Sequence, residues 1–258
     1  MKCSLRAQPA RCSVRARKLV AHVTAFGPAS TTAPTGTPRV KEEKEKGFIN
    51  EMRIVAMKLH TRDQAPKEGQ VEAPKPQQFL PTREGYLAFL AESKAVYDVL
   101  ETTVSLSSHP EYLPLKNTGL ERSAALDRDL AWFESEYGMK APAPAEDGPG
   151  RTYARRVAEL AETDPQAFVC HYYNFYFAHT AGGRMIGKKV SEMILDNKVL
   201  NFYQWDGDLQ VSLDTVRQGI NGLAETWTRE QKDSCLQETS NSFKMSGLIM
   251  RCIMSPSA

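Results

Sequence analysis

Two adjacent glycines, Gly182 and Gly183, sit inside a stretch that otherwise reads as one long apolar helix, Asp164 to Leu195. In a helix interior each costs roughly 1 kcal/mol relative to alanine. The segment must therefore bend there or bring bare backbone against something large. The helix starts with Thr163 and Asp164 as candidate N-caps, Pro165 just inside, and Gln166 three residues after Thr163. Phe168, Tyr172, Phe175 or Tyr176, and His179 then recur at helical spacing. On this segment alone a tight helix–helix crossing and a flat ligand laid against the glycines are both open.

The rest of the chain repeats the helical theme. Phe48, Met52, Val55 and Leu59 mark an amphipathic helix after the charge run KEEKEK. Residues 64–81 hold four prolines and read as a loop. Tyr86, Phe89, Leu90, Val96, Tyr97 and Leu100 mark a second helix over 82–106. Thr118-x-x-Glu121 is a capping-box pattern and predicts a third helix that starts there and stops near Gly138. Loop 140–150, a helix from Tyr153 to Glu162, the glycine-bearing helix, a short element at 198–206 and a helix from Leu209 to Trp227 follow. Thr228-x-x-Gln231 caps a last helix carrying Leu236, Phe243, Leu248 and Met250. No segment alternates as a strand does. The expectation is one all-α domain of about eight helices.

Charge is spread unevenly. Residues 1–41 hold eight basic residues and no acid, which leaves 25 basic against 31 acidic over 42–258, a net charge of −6. A basic, acid-free start rich in Ser, Thr and Ala, with no apolar core of a secretory signal, has the composition of an organelle transit peptide. The expected division is 1–40 as transit segment and 41–258 as helical domain. Thr31-Thr32, Pro34 and Pro38 lean toward the plastid. No window is long and apolar enough to span a membrane. Cys170, Cys235 and Cys252, the cysteines beyond the transit segment, form no CxxC pair, which suits free thiols and argues against a disulfide framework or a zinc site.

Three histidines fall on helices: His60, His171 and His179. Cys170 and His171 read as structural. His60 has telling neighbours, because Arg53, Ala56 and Met57 share its stripe at −7, −4 and −3. The stripe offers a cation, two uncharged spacers and an imidazole, which match the propionates, apolar face and iron of a haem. Gln64, one turn on, can accept from the other ring nitrogen. The bare backbone at Gly182-Gly183 then makes a second wall for the macrocycle, with His179 one turn before it.

Five segments, GFINEMRIVAMKLHTRDQA, KNTGLER, DPQAFVCHYYNFYFAHTAGGRMIGKKV, FYQWDG and QETSNSFK, resemble haem oxygenase of the plant and algal plastid type. The resemblance covers roughly 46–254. It implies a single haem-oxygenase-like helical domain with haem b between a proximal and a distal helix. It also implies cleavage of haem at a meso carbon to biliverdin, carbon monoxide and ferrous iron, feeding bilin chromophore synthesis. Haem is then substrate and cofactor together. His60 matches the proximal iron ligand, the metal-binding residue. Gly182 and Gly183 match the distal glycines. Arg53 matches a basic residue near the propionates, with Met57 beside it on the haem-facing stripe, and Tyr173 and Arg217 match propionate contacts. His179 stands where animal members carry a catalytic aspartate and plastid members a histidine, with the expected task of holding a proton-delivering water. Gln64 stands where animal members have glutamate.

The implied partners are haem, O2 and reduced ferredoxin as electron donor, since no GxGxxG motif follows a strand. Arg184, Lys188, Lys189 and Lys198 form the expected docking patch for that acidic donor. A chloroplast-stroma monomer with no nucleic-acid partner and no membrane anchor is expected. The alternative is a haem or tetrapyrrole carrier or sensor without turnover.

Overall fold

The structure, a computed structural model, describes residues 47–64 and 79–254, with backbone alone for 61–64. The basic start, the KEEKEK run, residues 65–78 of the proline-rich loop and the side chain of Gln64 lie outside the described residues.

Helix α1 (Phe48–Gln64) is tied down at its front end. Phe48, Ile49 and Met52 are buried, Phe48 meets Trp227 edge-on at 5.5 Å, and the Ile49 amide donates to Asn221 Oδ1 at 3.0 Å. Helix α2 (Arg83–Leu106) starts at Thr82, whose hydroxyl accepts from the Gly85 amide at 2.9 Å. Its buried stripe runs Tyr86, Phe89, Leu90, Val96, Tyr97, Leu100 and Val104. A 3-10 segment over Pro110–Leu115 leads to helix α3 (Ser123–Tyr137), and helix α4 (Pro149–Thr163) follows.

Helix α5 (Pro165–Ala178), a π-helical turn over His179–Gly183 and helix α6 (Arg184–Ile194) run end to end. Asp164 caps α5 through a 3.0 Å bond from the Ala167 amide, as its sequence position predicts. A 3-10 turn at Asn201–Tyr203 precedes helix α7 (Leu209–Thr226), helix α8 (Arg229–Gln237) and helix α9 (Thr239–Arg251). Counted with α5 and α6 as one bent rod, the described residues hold eight rods and no strand.

α5 is the axis. Every residue from Gln166 to Tyr176 is buried, and burial of Phe168 or Phe175 alone contributes roughly 1.5–3 kcal/mol. α4, α8 and α9 pack on it, and α2 packs on α3, α4 and α9. Several of its polar side chains find partners on neighbouring helices. His171 Nδ1 lies 2.9 Å from the Tyr153 hydroxyl, which lies 3.0 Å from Ser242 Oγ. Tyr176 donates to Glu101 at 3.2 Å.

Two boundaries differ from the sequence expectation. Thr118 and Glu121 do bond, the Thr118 amide donating to Glu121 Oε1 at 2.8 Å, but α3 begins at Ser123. Its N-terminal amides are capped from another helix: Glu101 of α2 accepts from the Ser123 amide at 3.0 Å and from that of Arg122. Glu92, one further carboxylate of α2, does the same for α4 through the Gly150 amide at 2.6 Å. The second difference is the last expected helix, which divides into α8 and α9 at Glu238. The Thr228–Gln231 capping box itself forms.

The closest backbone approach on the bent rod falls at Gly187. A β-carbon there would lie 2.4 Å from the Tyr203 ring. Gly187→Ala forces that ring and its turn outward, and a loss of about 1–3 kcal/mol is expected in urea unfolding.

Glu238 sits at the α8–α9 joint, 3.8 Å from His171 Nε2 and 2.6 Å from Arg156. The His171 imidazole, Arg156 and Asn241 pull its carboxyl from 4.5 down to about 2. A depressed carboxyl pKa contributes stability that is present above pH about 4.5 and lost as pH falls toward 2. Glu238→Gln is expected to lower stability at neutral pH and to flatten the slope of unfolding midpoint against pH across that window.

Candidate functional site

The expected site residues fall into three groups. The first is the exposed stripe of α1. Arg53 and His60 are exposed, Met57 is 57% exposed, and Ile54 beside them is 44% exposed. Apolar side chains held out on a helix whose front end is anchored in the core make a face built to be covered. The His60 ring meets Phe243 of α9 edge-on, centroids 6.2 Å apart.

Tyr173, Phe177 and Arg217 make the second group. The two rings lie 4.4 Å apart on successive turns of α5. Arg217 of α7 reaches over Phe177, its guanidinium carbon 5.2 Å from the ring centre, while Nη1 donates to Asp214 at 2.7 Å. Phe177 is thus in contact with a cation of α7 and a phenol ring of α5, two elements distant in sequence.

The third group is the π turn. His179 Nδ1 lies 2.7 Å from the Phe175 carbonyl, and Thr180 Oγ1 donates to the Phe177 carbonyl at 3.0 Å. Both side chains compete with backbone amides for carbonyls of the preceding turn, and two glycines follow that resist little. The wide turn, rather than a straight helix, is the result. Gly182 is exposed, and a β-carbon on it would meet nothing within 4 Å. Gly183 differs, since its β-carbon would lie 3.2 Å from the Ala178 carbonyl and 3.4 Å from His179 Cδ2.

His179 itself turns inward and is 8% exposed. A carbonyl can only accept, so Nδ1 carries the proton and Nε2 keeps its lone pair. The Tyr97 hydroxyl, 2.9 Å away, also faces Nδ1. Phe175, Tyr97, Phe89 and Phe202 surround the ring with centroids 4.8, 5.6, 6.3 and 5.1 Å away. Burial among them lowers its pKa to about 4, so the imidazole is neutral at physiological pH.

α8 and α9 form a common floor for α1 and for α5, the helix that leads into the π turn. Beyond α5, the four expected docking cations are all exposed. Arg184 approaches the Trp205 ring, Lys189 that of Phe79 and Lys198 that of Trp132, at 5.9, 5.0 and 5.4 Å. Lys188 lies 3.8 Å from Glu192. Cys170 and His171 are fully buried, in keeping with a structural role.

Tyr97 and Phe202 escaped the sequence reading. Both lie far from His179 along the chain, and no local pattern points from either to the imidazole.

The family model described as Heme oxygenase matches residues 49–251. The chain is 53% identical to chloroplastic heme oxygenase 1 of Arabidopsis thaliana, over 88% of this chain and 81% of that one. It is also 53% identical to the chloroplastic heme oxygenase 1 of Oryza sativa, over 86% and 76%. Among solved structures, heme oxygenase-1 of the cyanobacterium Synechocystis in complex with heme superposes with a TM-score of 0.64 at 19% identity, covering 80% of this chain and 92% of that one. Heme oxygenase 2 of Chlamydomonas reinhardtii, without heme, also gives 0.64 at 14% identity, over 83% and 100%. With the fold and nearly its whole described length accounted for, this chain belongs to the haem oxygenase family.

Proposed function

We propose that this chain is a plastid haem oxygenase that opens haem to biliverdin, carbon monoxide and ferrous iron with electrons from reduced ferredoxin. The observation that carries the reading is a pair of surfaces on one floor. α1 presents Arg53, Met57 and His60 outward, and the π turn presents open space at Gly182. The fit to a haem follows from the donor chemistry. An exposed imidazole suits iron, apolar Ile54 and Met57 suit a macrocycle face, and Arg53, Arg217 and Tyr173 suit propionates.

Haem, as substrate, brings the iron and the ring that is opened. The chain's own residues do the rest. His60 holds the substrate from the α1 side. Arg53, Arg217 and Tyr173 orient its acidic edge. The π turn lies flat where side chains would otherwise stand, and so limits which meso carbon is approached. His179 stays neutral, with Nδ1 fixed on the Phe175 carbonyl. Its Nε2 can therefore hold a water by accepting from it, which keeps a proton source on that side without a charge.

The exposed cations Arg184, Lys188, Lys189 and Lys198, with exposed Met185 and Val199 among them, support the ferredoxin part. They line or flank a surface groove of about 500 Å³ beside the π turn. A cationic rim around apolar side chains suits an acidic electron-transfer partner. The names of the two plant relatives and the basic composition of residues 1–40 support a chloroplast address with removal of that segment. A monomer that releases bilin to chromophore synthesis completes the proposal.

Aerobic incubation with haem, ferredoxin and its reductase is expected to bleach the Soret band and yield a bilin. A Soret band that persists would identify a carrier instead. His60→Ala is expected to change the haem spectrum and to lower turnover at least about a hundredfold; an unchanged spectrum and rate would remove His60 from the site.

Gly182→Leu separates fold from ligand. Open space around Gly182 means that the haem-free variant is expected to melt no lower than the parent, with about 0.7–1 kcal/mol of helix propensity in its favour. Haem affinity is expected to drop at least about tenfold, or the product isomer to change. Unaltered affinity and isomer together would show that no ring lies there.

A further inference from the structure

The cage around His179 has one wall carried by a turn. Tyr97 and Phe89 stand on α2 and Phe175 on α5, but Phe202 belongs to the three-residue 3-10 turn at Asn201–Tyr203. So short a turn cannot hold its own geometry. It is gripped from both polarities by residues of the α3 start and first turns. Asp129, fully buried, accepts from the Asn201 amide at 2.8 Å, from Asn201 Nδ2 at 2.7 Å and from the Phe202 amide at 2.7 Å. Arg122, 7% exposed, donates through Nη1 to the carbonyls of Gln204, Asn201 and Phe202 at 2.6, 3.3 and 3.4 Å. Its Nε donates to the Leu120 carbonyl at 3.0 Å, and its guanidinium lies 4.6 Å over the Trp205 ring. An anion takes the amides and a cation takes the carbonyls of the same few residues.

Burying two charges to hold backbone is an expensive way to gain stability, since well-packed apolar residues do it as well or better. What such a clamp gives instead is position. The Phe202 ring it places lies 5.1 Å from the His179 imidazole and 5.8 Å from the Tyr97 ring.

We infer that Asp129 and Arg122 are positioning residues for the reaction: they lock the 200–204 turn so that Phe202 closes the His179 cage, and thereby fix the imidazole and with it the π turn that limits where the ring is opened. This rests on the reading of the π turn as the wall over the substrate. The contact between the clamp and His179 exists without any ligand, so it can be tested in the haem-free protein.

His179 is followed by NMR of its ring nitrogens in haem-free wild type, Asp129→Asn, Arg122→Lys and Phe202→Ala, and the bilin isomers are analysed in parallel. In the wild type the imidazole stays neutral down to about pH 4. In each variant its midpoint is expected to rise by at least about one unit, because a displaced Phe202 lets water reach the ring, and a single isomer is expected to become a mixture. Phe202→Ala in the Asp129→Asn background is expected to add little further, since both changes act through one ring. Folded variants with an unmoved His179 midpoint and an unchanged isomer overturn the inference. So does full additivity of the two shifts. If either clamp variant fails to fold, the other and Asn201→Ala, which removes only the Asn201 Nδ2 bond to Asp129, decide. Were wild type to leave haem intact, the functional reading would fail while the NMR arm still judged the clamp.

Discussion

A helix buried around its whole circumference is the constraint on which this molecule rests. α5 carries tyrosines, a histidine and an asparagine into the centre, and each polar atom brought there must find a partner or cost about 1–3 kcal/mol. The partners come from every side. Tyr153, itself bonded to Ser242, serves His171, Thr118 lies 3.3 Å from the Tyr172 hydroxyl, and Glu101 serves Tyr176. The neighbouring helices are therefore held in register by the needs of the axis as well as by apolar contact.

The same economy appears at helix ends. Glu92 and Glu101 of α2 reach the first amides of α4 and α3, and Asp129 reaches those of the 201–203 turn. Each carboxylate meets an electropositive backbone terminus. Burial raises the pKa of Glu92 and of Asp129 above the ordinary carboxylate value, even though backbone amides pull both downward. Position is the gain from these arrangements, and the 201–203 turn shows it, since its Phe202 closes the aromatic cage around His179. That cage keeps a titratable group neutral within one turn of the glycines.

Comparison of sequence with structure divides along the range of the interactions. The cap at Asp164, the Thr228–Gln231 box and the helix stop at Gly138 all appear where the residues place them. Each depends on a residue and a partner within one turn. The start of α3 differs because its cap comes from Glu101, 22 residues earlier in the chain, while the local Thr118–Glu121 bond closes without nucleating a helix. The sequence leaves a helix crossing and a flat ligand both open at Gly182-Gly183, and the tight approach of protein to backbone on this rod falls instead at Gly187, against Tyr203. A lone glycine between Ile186 and Lys188 carries no local sign of the ring that will press on it.

By itself the sequence determined the all-helical architecture, the caps at Asp164 and Thr228 and, through its motifs, the family. These follow from periodicity and from spacing within a few residues, which the chain writes directly. Only the tertiary structure decided that His179 faces inward toward Tyr97 and Phe202, that Arg217 lies over Phe177, and that buried charges of α3 hold the turn behind the imidazole. The physical reason is that a side chain's direction, its burial and its proton are set by atoms brought near by packing, and nothing in the local chain encodes which distant atoms those are.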